Sequence, residues 1–297
     1  MELRHLRAFL VLADTLHFAR AAEQLGVSPP TLTVQIQELE HALQARLFHR
    51  TKRSVSLSAA GEAFRSEAAA TLAQFEQAVQ VGQRAGRGQL GHIRIGYVAS
   101  ASFAGVLQEH MARYRRQWPE VLLTLEEAPM ETLPQQLLDG NVDIALVRLP
   151  LTLPPGLDSH TLLRDPFCLA LAADHPLTER NGPLPLSALK QESFVLPEQD
   201  IGLREVARRG RFTPRISVVP GSLLAVLTHV SLGVGVAVVP SVVTDVIQLP
   251  NLAYRSLAGA AIYSEVAALS RRFERDPAVQ HLIRQLHDTP LRRLPAP

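Results

Sequence analysis

One predicted helix, SPPTLTVQIQELE from Ser28 to Glu40, has a hydrocarbon stripe on one side and mostly hydroxyl and amide side chains on the other. Ser28 can cap the first turn, and proline just inside a helix start costs no hydrogen bond. Leu32, Ile36 and the leucines that follow fall at helical spacing and predict a buried stripe. At about 100° per residue, Val34 points almost directly away from that stripe. The helix therefore has a free face that could contact another molecule.

This free face carries side chains that suit contacts with DNA. Opposite the stripe lie Pro30, Val34, Gln37 and His41, with Thr31 and Thr33 beside them. Hydroxyls can reach phosphates or bases, glutamine can pair with adenine, and a valine methyl can pack on a thymine methyl. The alternatives are a solvated face whose polar residues contact only water, a buried helix, and a surface that packs against a partner.

A basic segment follows directly after this helix. Arg46, Arg50, Lys52 and Arg53 place four positive charges close together, and SVSL alternates like a strand. The pattern predicts a basic two-stranded hairpin. Such a hairpin can contact phosphates or enter the minor groove, which gives affinity with little sequence information. A run of charges is also typical of a solvated surface, but its position after the helix favours DNA.

Two further groups lie at the ends of predicted strands. Ser100 and Ser102, in YVASASF, follow one strand and precede a helix, where hydroxyls and helical N–H groups favour an anion. Arg148, in ALVRLP, ends another strand and offers a bidentate fork for a carboxylate. Because ligands of open α/β sheets bind beyond the carboxyl ends of the strands, these residues predict a site for a small organic anion. The alternatives are that Ser100 only caps its helix and that Arg148 pairs with a neighbouring acidic residue.

The composition is that of a globular protein with more than one domain. A chain of 297 residues with 46% hydrophobic content predicts two or three domains. The formal net charge of +2 is small, so local charge must carry any argument for a nucleic-acid partner. The start, MELRHLRAFL, lacks a signal-peptide pattern, and the longest apolar run, VSLGVGVAVVPSVV, fits a buried strand better than a membrane span. We expect a cytoplasmic protein that does not contact a membrane.

The first part of the chain predicts three short helices and then a long one. Apolar stripes indicate helices over about 3–13, 18–25 and from residue 29, and the tight link GVS favours the angled crossing of a helix-turn-helix. From residue 59 to about residue 84, a narrow stripe continues through Phe64, Ala68, Leu72, Phe75 and Val79. Such a helix, leading out of a small domain, predicts pairing with a second copy of the chain.

The rest of the chain alternates strands and helices. HIRIGYVAS, VLLTLEEAP and VDIALVRLP read as strands with helices between them, which predicts a parallel sheet covered by helices. A second α/β unit begins near Asp165, and two such units with a cleft between them are typical of small-ligand binding. GRGQLG matches G-x-G-x-x-G, but it follows a helix and precedes a strand, the reverse of a dinucleotide site. We interpret residues 86–91 as a hinge and expect no cofactor.

The N-terminal motifs resemble those of LysR-type transcriptional regulators. The run F-x-x-AA-x-x-L-x-VS-x-P begins at Phe18 and is followed by IQELE, LF-x-R and the L-x-x-AG that opens the long helix. SLGVGVAVVP is similar to the glycine-rich strand usual near the end of the family's second domain. LHFARAA and SPP are similar to the subgroup that controls aromatic-compound catabolism.

The resemblance implies an α/β fold with an N-terminal all-α winged helix-turn-helix, a long linker helix and a two-subdomain effector domain like periplasmic binding proteins. The implied domains are 1–58 for DNA binding, 59–91 for linker and hinge, and 92–297 for the effector. Subdomain I would span about 92–164 and 265–297, and subdomain II about 165–264. The implied partners are double-stranded promoter DNA, a small effector in the cleft, and further copies of the chain. These copies would form a homodimer through the linker helix and then a homotetramer, with RNA polymerase as a further candidate partner.

The resemblance also assigns site residues. The DNA contacts would be Arg20, Ser28, Pro30, Thr31, Thr33, Val34, Gln37, Arg50, Lys52 and Arg53. The effector contacts would be Ser100, Ala101, Ser102, Met130, Arg148, Gly202 and Leu203. Family members often carry arginine at Val34 and serine at Thr33, so we expect Val34 to contact a thymine methyl and the wing to supply part of the affinity. Met130 stands where the aromatic-acid subgroup tends to have a small hydroxyl residue, so that subgroup's effector does not carry over.

No catalytic motif competes with this interpretation. The sequence has no G-x-S-x-G, H-E-x-x-H or P-loop, and its eleven histidines are scattered. The one cysteine, Cys168, lies in the apolar run FCLALA, which excludes an internal disulfide and predicts a buried thiol. We expect no enzyme activity and no metal site. The remaining alternative is a small-molecule binding protein without regulatory DNA activity, which the winged domain argues against.

Overall fold

The computed structural model describes residues 1–51, 54–197 and 199–294. The chain divides into two compact units, Met1–Arg84 and Ala85–Pro297. Most of the long helix therefore belongs with the first unit. Among the described residues, no helix combines the length and the apolar composition needed to cross a membrane.

The first unit has the predicted order of three helices, a hairpin and a long helix. Its elements are α1 (Leu3–Thr15), α2 (Phe18–Leu25), α3 (Pro29–Leu43), β1 (Phe48–Arg50), β2 (Val55–Leu57) and α4 (Ala59–Gly86). Gly26 ends α2 with a φ of +65°, a conformation that glycine adopts without steric cost. The Ser28 hydroxyl then caps α3 by accepting a hydrogen bond from the Thr31 N–H at 3.2 Å. These two residues make the tight turn between the helices.

An apolar core holds these elements together. Phe9 of α1 packs against Phe48 and Phe64, with ring centroids 5.4 and 5.1 Å away, and so joins the hairpin and the start of α4 to the helices. Gly61 lets α4 approach closely, because a Cβ there would lie 2.2 Å from the Leu47 carbonyl oxygen. Leu32 and Ile36 of α3 are fully buried in this core. The outer face of α3 faces away from it.

The second unit contains the predicted α/β alternation. Its first half comprises β3 (Gly91–Tyr97), α5 (Ala99–Ser102), α6 (Val106–Gln117), β4 (Val121–Glu127), α7 (Leu133–Leu138), β5 (Ile144–Leu149) and β6 (Leu157–Ala172). Its second half comprises β7 (Ser193–Val195), α8 (Ile201–Gly210), β8 (Arg215–Val218), α9 (Leu223–Ser231), β9 (Ala237–Pro240), β10 (Leu252–Arg255), β11 (Tyr263–Arg271), α10 (Pro277–His287) and β12 (Arg292–Arg293).

Two long strands connect the halves of this unit. β3 lies between β4 and β5 and is parallel to both, and β11 is antiparallel to β5 and β6. The first half of β6 pairs with β11, whereas its second half pairs with β9 and β10. Asp165 of β6 is in register with Ser264 of β11 near the point where the pairing changes. β6 and β11 are therefore the strands that cross between the two subdomains.

The apolar run VSLGVGVAVVPSVV differs from the single buried strand that its composition predicts. α9 ends at Ser231, Gly233 turns the chain with a φ of +75°, and β9 covers only Ala237–Pro240. A positive φ suits glycine and interrupts both a helix and a strand. The run therefore contains a helix end, a turn and a short strand.

A group of histidines packs around α6 and α10. His281 stacks on Trp118 with ring centroids 4.3 Å apart, and His160 stacks on His287 at 4.6 Å. Burial lowers the pKa of His110, His160 and His281 below their ordinary value, and the neighbouring His287 lowers that of His160 further. The folded unit therefore favours the neutral form of these three rings.

We expect the stability of this unit to fall as the pH falls from about 7.5 to about 5.5. Near their ordinary pKa of about 6.5 the histidines of the unfolded chain bind more protons than those of the folded chain, so lowering the pH favours unfolding. The urea midpoint can be followed by the emission wavelength of Trp118, the only tryptophan. The variant His160→Gln should show a smaller pH dependence than the wild type. A midpoint that does not change over this pH range would contradict the prediction.

Candidate functional site

The outer face of α3 is open to solvent, as predicted. The Val34 side chain is 50% exposed, and Pro30, Thr31 and Gln37 are exposed beside it. Leu32 and Ile36, on the other side, are fully buried. α3 follows the tight turn of a helix-turn-helix and precedes a hairpin, which is the position of the helix that enters the major groove in winged folds. This face can therefore contact base edges.

Two of the predicted hydroxyl contacts have structural roles. The Ser28 hydroxyl caps α3 and lies 2.8 Å from the Thr31 hydroxyl. The Thr33 hydroxyl donates to the carbonyl oxygen of Pro29 at 2.9 Å. The Thr33 proton is therefore used within α3 in this structure, and the contact of Thr33 with DNA stays a prediction. Thr31 is exposed and remains on the open face.

Arg50 is also held within the first unit. Its Nη2 donates to Glu40 Oε2 at 2.9 Å, and its guanidinium lies 5.1 Å from the centre of the Phe18 ring. Glu40 Oε1 accepts hydrogen bonds from the N–H groups of Leu47 and Phe48 at 2.9 and 3.2 Å. Arg50 therefore joins the hairpin to α3, and its contact with a phosphate stays a prediction. No pattern in the sequence indicated this role for Glu40.

Other predicted basic contacts have different outcomes. Arg20 is exposed on α2, where its N–H donates to Nδ1 of His17 at 3.3 Å. Its guanidinium makes one long hydrogen bond, from Nη2 to the carbonyl oxygen of Thr15 at 3.4 Å. Most of its donors are therefore available to a phosphate. Lys52 and Arg53 lie outside the described residues.

A cavity of about 540 Å³ opens beyond the carboxyl ends of β3, β4 and β5. Its wall includes Ser100 from the start of α5, Met130 from the segment after β4, and Phe167 of β6. Residues 219–223, before α9, supply wall from the other subdomain. Both the size and the place are those of a small-ligand site in an open α/β fold.

The fork that we predicted at Arg148 is already occupied. Its Nη1 donates to Asp165 Oδ1 and to the Ser264 hydroxyl, each at 2.8 Å, and its Nη2 donates to the Ser100 carbonyl oxygen at 3.0 Å. The Arg148 and Asp165 side chains are 1% and 0% exposed. Burial raises the pKa of Asp165, and the Arg148 charge opposes that rise. The prediction of a free guanidinium for a carboxylate is corrected, since Arg148 pairs with an acidic neighbour instead.

Arg148 still lines the cavity, but four of the predicted effector residues do not. Ala101 is fully buried in the core, and the Ser102 hydroxyl donates to the Ala99 carbonyl oxygen at 2.7 Å. Gly202 and Leu203 belong to α8: a Cβ on Gly202 would lie 2.7 Å from the Phe167 ring, and Leu203 is 3% exposed in the adjoining core. These predictions are corrected, because the four residues support the wall from behind. Ser100 and Met130 do line the cavity.

Four polar residues of the cavity wall were not predicted from the sequence: Glu127, Glu131, Gln199 and Ser222. Gln199 donates through Nε2 to the Met130 sulfur and to the Arg148 carbonyl oxygen, which joins the two subdomains beside the cavity. The two glutamates were detectable, because they follow the carboxyl end of a predicted strand as Ser100 does. Nothing in the local sequence indicated Gln199.

The chain contains a helix-turn-helix whose third helix has an exposed face, and a second unit with a cavity of ligand size. These two features together are typical of a DNA-binding regulator with an effector domain. Residues 3–62 match the model for the bacterial regulatory helix-turn-helix protein, lysR family, and residues 86–290 match the LysR substrate binding domain. The chain belongs to the LysR family of transcriptional regulators, which are not enzymes.

Relatives match along almost the whole chain. It is similar to the uncharacterized HTH-type transcriptional regulator YnfL of Escherichia coli, at 33% identity over 95% of this chain and 96% of that protein. It is also similar to the HTH-type transcriptional regulator AlsR of Bacillus subtilis, at 32% identity over 95% and 94%. The crystal structure of full-length CbnR complexed with its target DNA has the same fold, with a TM-score of 0.83 at 22% identity over 97% of this chain and 99% of that one.

Proposed function

We propose that the chain binds promoter DNA as a homodimer that assembles into a homotetramer, and that a small organic carboxylate in the cavity changes this binding. The observation that carries the proposal is the open face of α3, with half-exposed Val34 at its centre, in a chain that also encloses a cavity of about 540 Å³. RNA polymerase is a further partner in this proposal.

In the first unit, different residues would contact the bases and the phosphates of the DNA. Val34 and Gln37 of α3 would read base edges, while Arg20 on α2 and the basic hairpin would hold the phosphates. Because Arg50 is tied to Glu40, the charges of Lys52 and Arg53 would supply most of the electrostatic attraction of the basic segment.

The stripe on α4 supports the homodimer. Phe75 and Val79 are one helical turn apart and are 41% and 42% exposed, and among the described residues nothing covers them. Exposed apolar side chains at this spacing on a long helix suit a helical partner that presents the same stripe. A second copy of α4 would bury them.

The carboxylate would bind at a different place from the one predicted at Arg148. Ser100 remains in the cavity wall, and the segment Gly221–Ser222–Leu223 brings the start of α9 to it. The first N–H groups of a helix have no partner within the helix and carry partial positive charge. These donors support a carboxylate without a free guanidinium.

A gel-shift experiment with the intergenic DNA upstream of the gene tests the proposal. The wild-type chain should bind this DNA in preference to unrelated DNA, and the affinity should fall steeply with salt because phosphate contacts release counterions. The variant Val79→Glu should be smaller than a tetramer in light scattering and should bind at least about tenfold more weakly, since copies that are not paired through α4 no longer present two reading helices to the two half-sites together.

The matched control is Gln77→Glu, which adds the same charge at an exposed position away from the stripe. This control should bind like the wild type. Equal binding of upstream and unrelated DNA by the wild type would contradict the regulatory function, and a Val79→Glu variant that keeps the oligomeric state of the wild type would contradict the proposed interface.

A further inference from the structure

We propose that the effector carries a cationic nitrogen as well as a carboxylate, so that it is a zwitterion of the amino-acid class, with Glu127 and Glu131 as the residues that bind the cation. This inference rests on the proposed function and specifies the ligand of the same cavity.

The two glutamates are charged groups without partners. Glu127 ends β4 and Glu131 follows four residues later, and both line the cavity. Across residues 1–51, 54–197 and 199–294, neither carboxylate has a hydrogen-bond or ion-pair partner. Both glutamates are exposed, so only water satisfies their carboxylates when no ligand is bound. The glutamates of the cavity are therefore available to a ligand.

The charge of the cavity wall favours a cation at this place. Arg148 is the one basic residue among the described residues that line the cavity, and Asp165 already neutralises it at 2.8 Å. Among the described lining residues, the remaining charge is that of Glu127 and Glu131. A ligand with only a carboxylate would bring a third negative charge into a partly enclosed space, where like charges repel more strongly than in water. A nitrogen cation would remove that repulsion and satisfy both oxygen acceptors.

The rest of the wall accounts for the other parts of such a ligand. The Ser100 hydroxyl and the start of α9 at Ser222 and Leu223 supply donors for the carboxylate. Phe167 and Val238 supply apolar surface for a hydrocarbon body. A simple amine would leave the donors without an acceptor, and a simple carboxylate would leave the glutamates without a donor. A zwitterion satisfies both groups.

Binding to the full-length chain can be compared across sets of three compounds that share one skeleton. Suitable sets are phenylalanine, 3-phenylpropanoate and phenethylamine, then leucine, 4-methylpentanoate and isopentylamine. We expect the amino acid of a set to raise the melting temperature of the chain. It should bind at least about tenfold more tightly than the carboxylate or the amine of the same set, because each of these lacks one charge-assisted contact.

The variant Glu127→Gln/Glu131→Gln should lose at least about tenfold in affinity for that amino acid and should bind the matching carboxylate more tightly than the wild type does. Glu126→Gln is the matched control, since Glu126 is the exposed neighbour on β4 that does not line the cavity. It should behave like the wild type.

Two outcomes would overturn the inference. One is a plain carboxylate that binds as tightly as its amino acid, and the other is a chain that binds its upstream DNA but responds to no compound in these sets. In both cases the gel shift still decides by itself whether the chain recognises its upstream DNA, which is the regulatory part of the proposed function. A failure of DNA recognition is therefore distinguishable from a wrong ligand class.

Discussion

Replacing Arg148 with methionine should destabilise the second unit by about 3–5 kcal/mol, because it leaves Asp165 buried without its cation. The Asp165 side chain is fully buried, and Arg148 supplies its ion-pair partner at 2.8 Å. In the wild type, Arg148 also donates hydrogen bonds to the Ser264 hydroxyl and to the Ser100 carbonyl oxygen. The substitution removes both of these hydrogen bonds. Urea unfolding of the full-length chain, followed by the emission of Trp118, measures the loss in this unit.

The loss should shrink as the pH is lowered. Burial raises the pKa of Asp165 and Arg148 opposes the rise, so the variant should have a still higher folded-state pKa. That pKa lies above the value in the unfolded chain, so the folded variant binds more protons than the unfolded variant does. The loss of stability therefore becomes smaller as the pH falls through the folded-state pKa of Asp165. The double variant Arg148→Met/Asp165→Leu should recover most of the stability, since no buried charge remains. A single variant within about 1 kcal/mol of the wild type would show that the pair is not needed.

Replacing Val34 with arginine should change the base preference at one position of each half-site by about 10- to 100-fold. Val34 is 50% exposed at the centre of the open face of α3, where a methyl group can contact thymine but cannot donate to guanine. Arginine would introduce the bidentate donor that favours guanine. Selection from a randomised operator, with the wild type and the variant in parallel, measures the preference directly.

The control for added charge is Ala42→Arg, at an exposed position two turns further along α3 and away from the centre of that face. It should strengthen binding to all sequences alike through phosphates and leave the base preference unchanged. An unchanged preference in Val34→Arg would mean that Val34 does not face a base.

The DNA-binding face was predictable because its signals are local. Helical spacing separated Val34 from Leu32 and Ile36, and Ser28, Pro29 and Gly26 marked the ends of the helices. All of these signals lie within about four helical turns of one another. The role of Arg50 was less predictable, because its partner Glu40 looks from its spacing like one more solvated charge.

The effector cavity was only partly predictable because its residues come from distant parts of the chain. The strand-end rule identified Ser100, and the same rule applied to β4 would have identified Glu127. The pairing of Arg148 with Asp165 depends on the register of β5, β11 and β6, which no local pattern encodes. The prediction that Gly202 and Leu203 line the cavity also failed because no local pattern encodes the packing of α8. Only that packing shows that they lie behind Phe167.

Glu40 has a consequence for how this regulator can acquire new target sites. The Glu40 carboxylate accepts hydrogen bonds from the N–H groups of Leu47 and Phe48 and from the guanidinium of Arg50. These contacts within the first unit fix the orientation of the hairpin relative to α3. Val34 and Gln37 take no part in that arrangement. Mutation can therefore exchange the residues that we propose to read DNA without disturbing the frame that presents them, and the evolution of specificity would be separated from the evolution of stability.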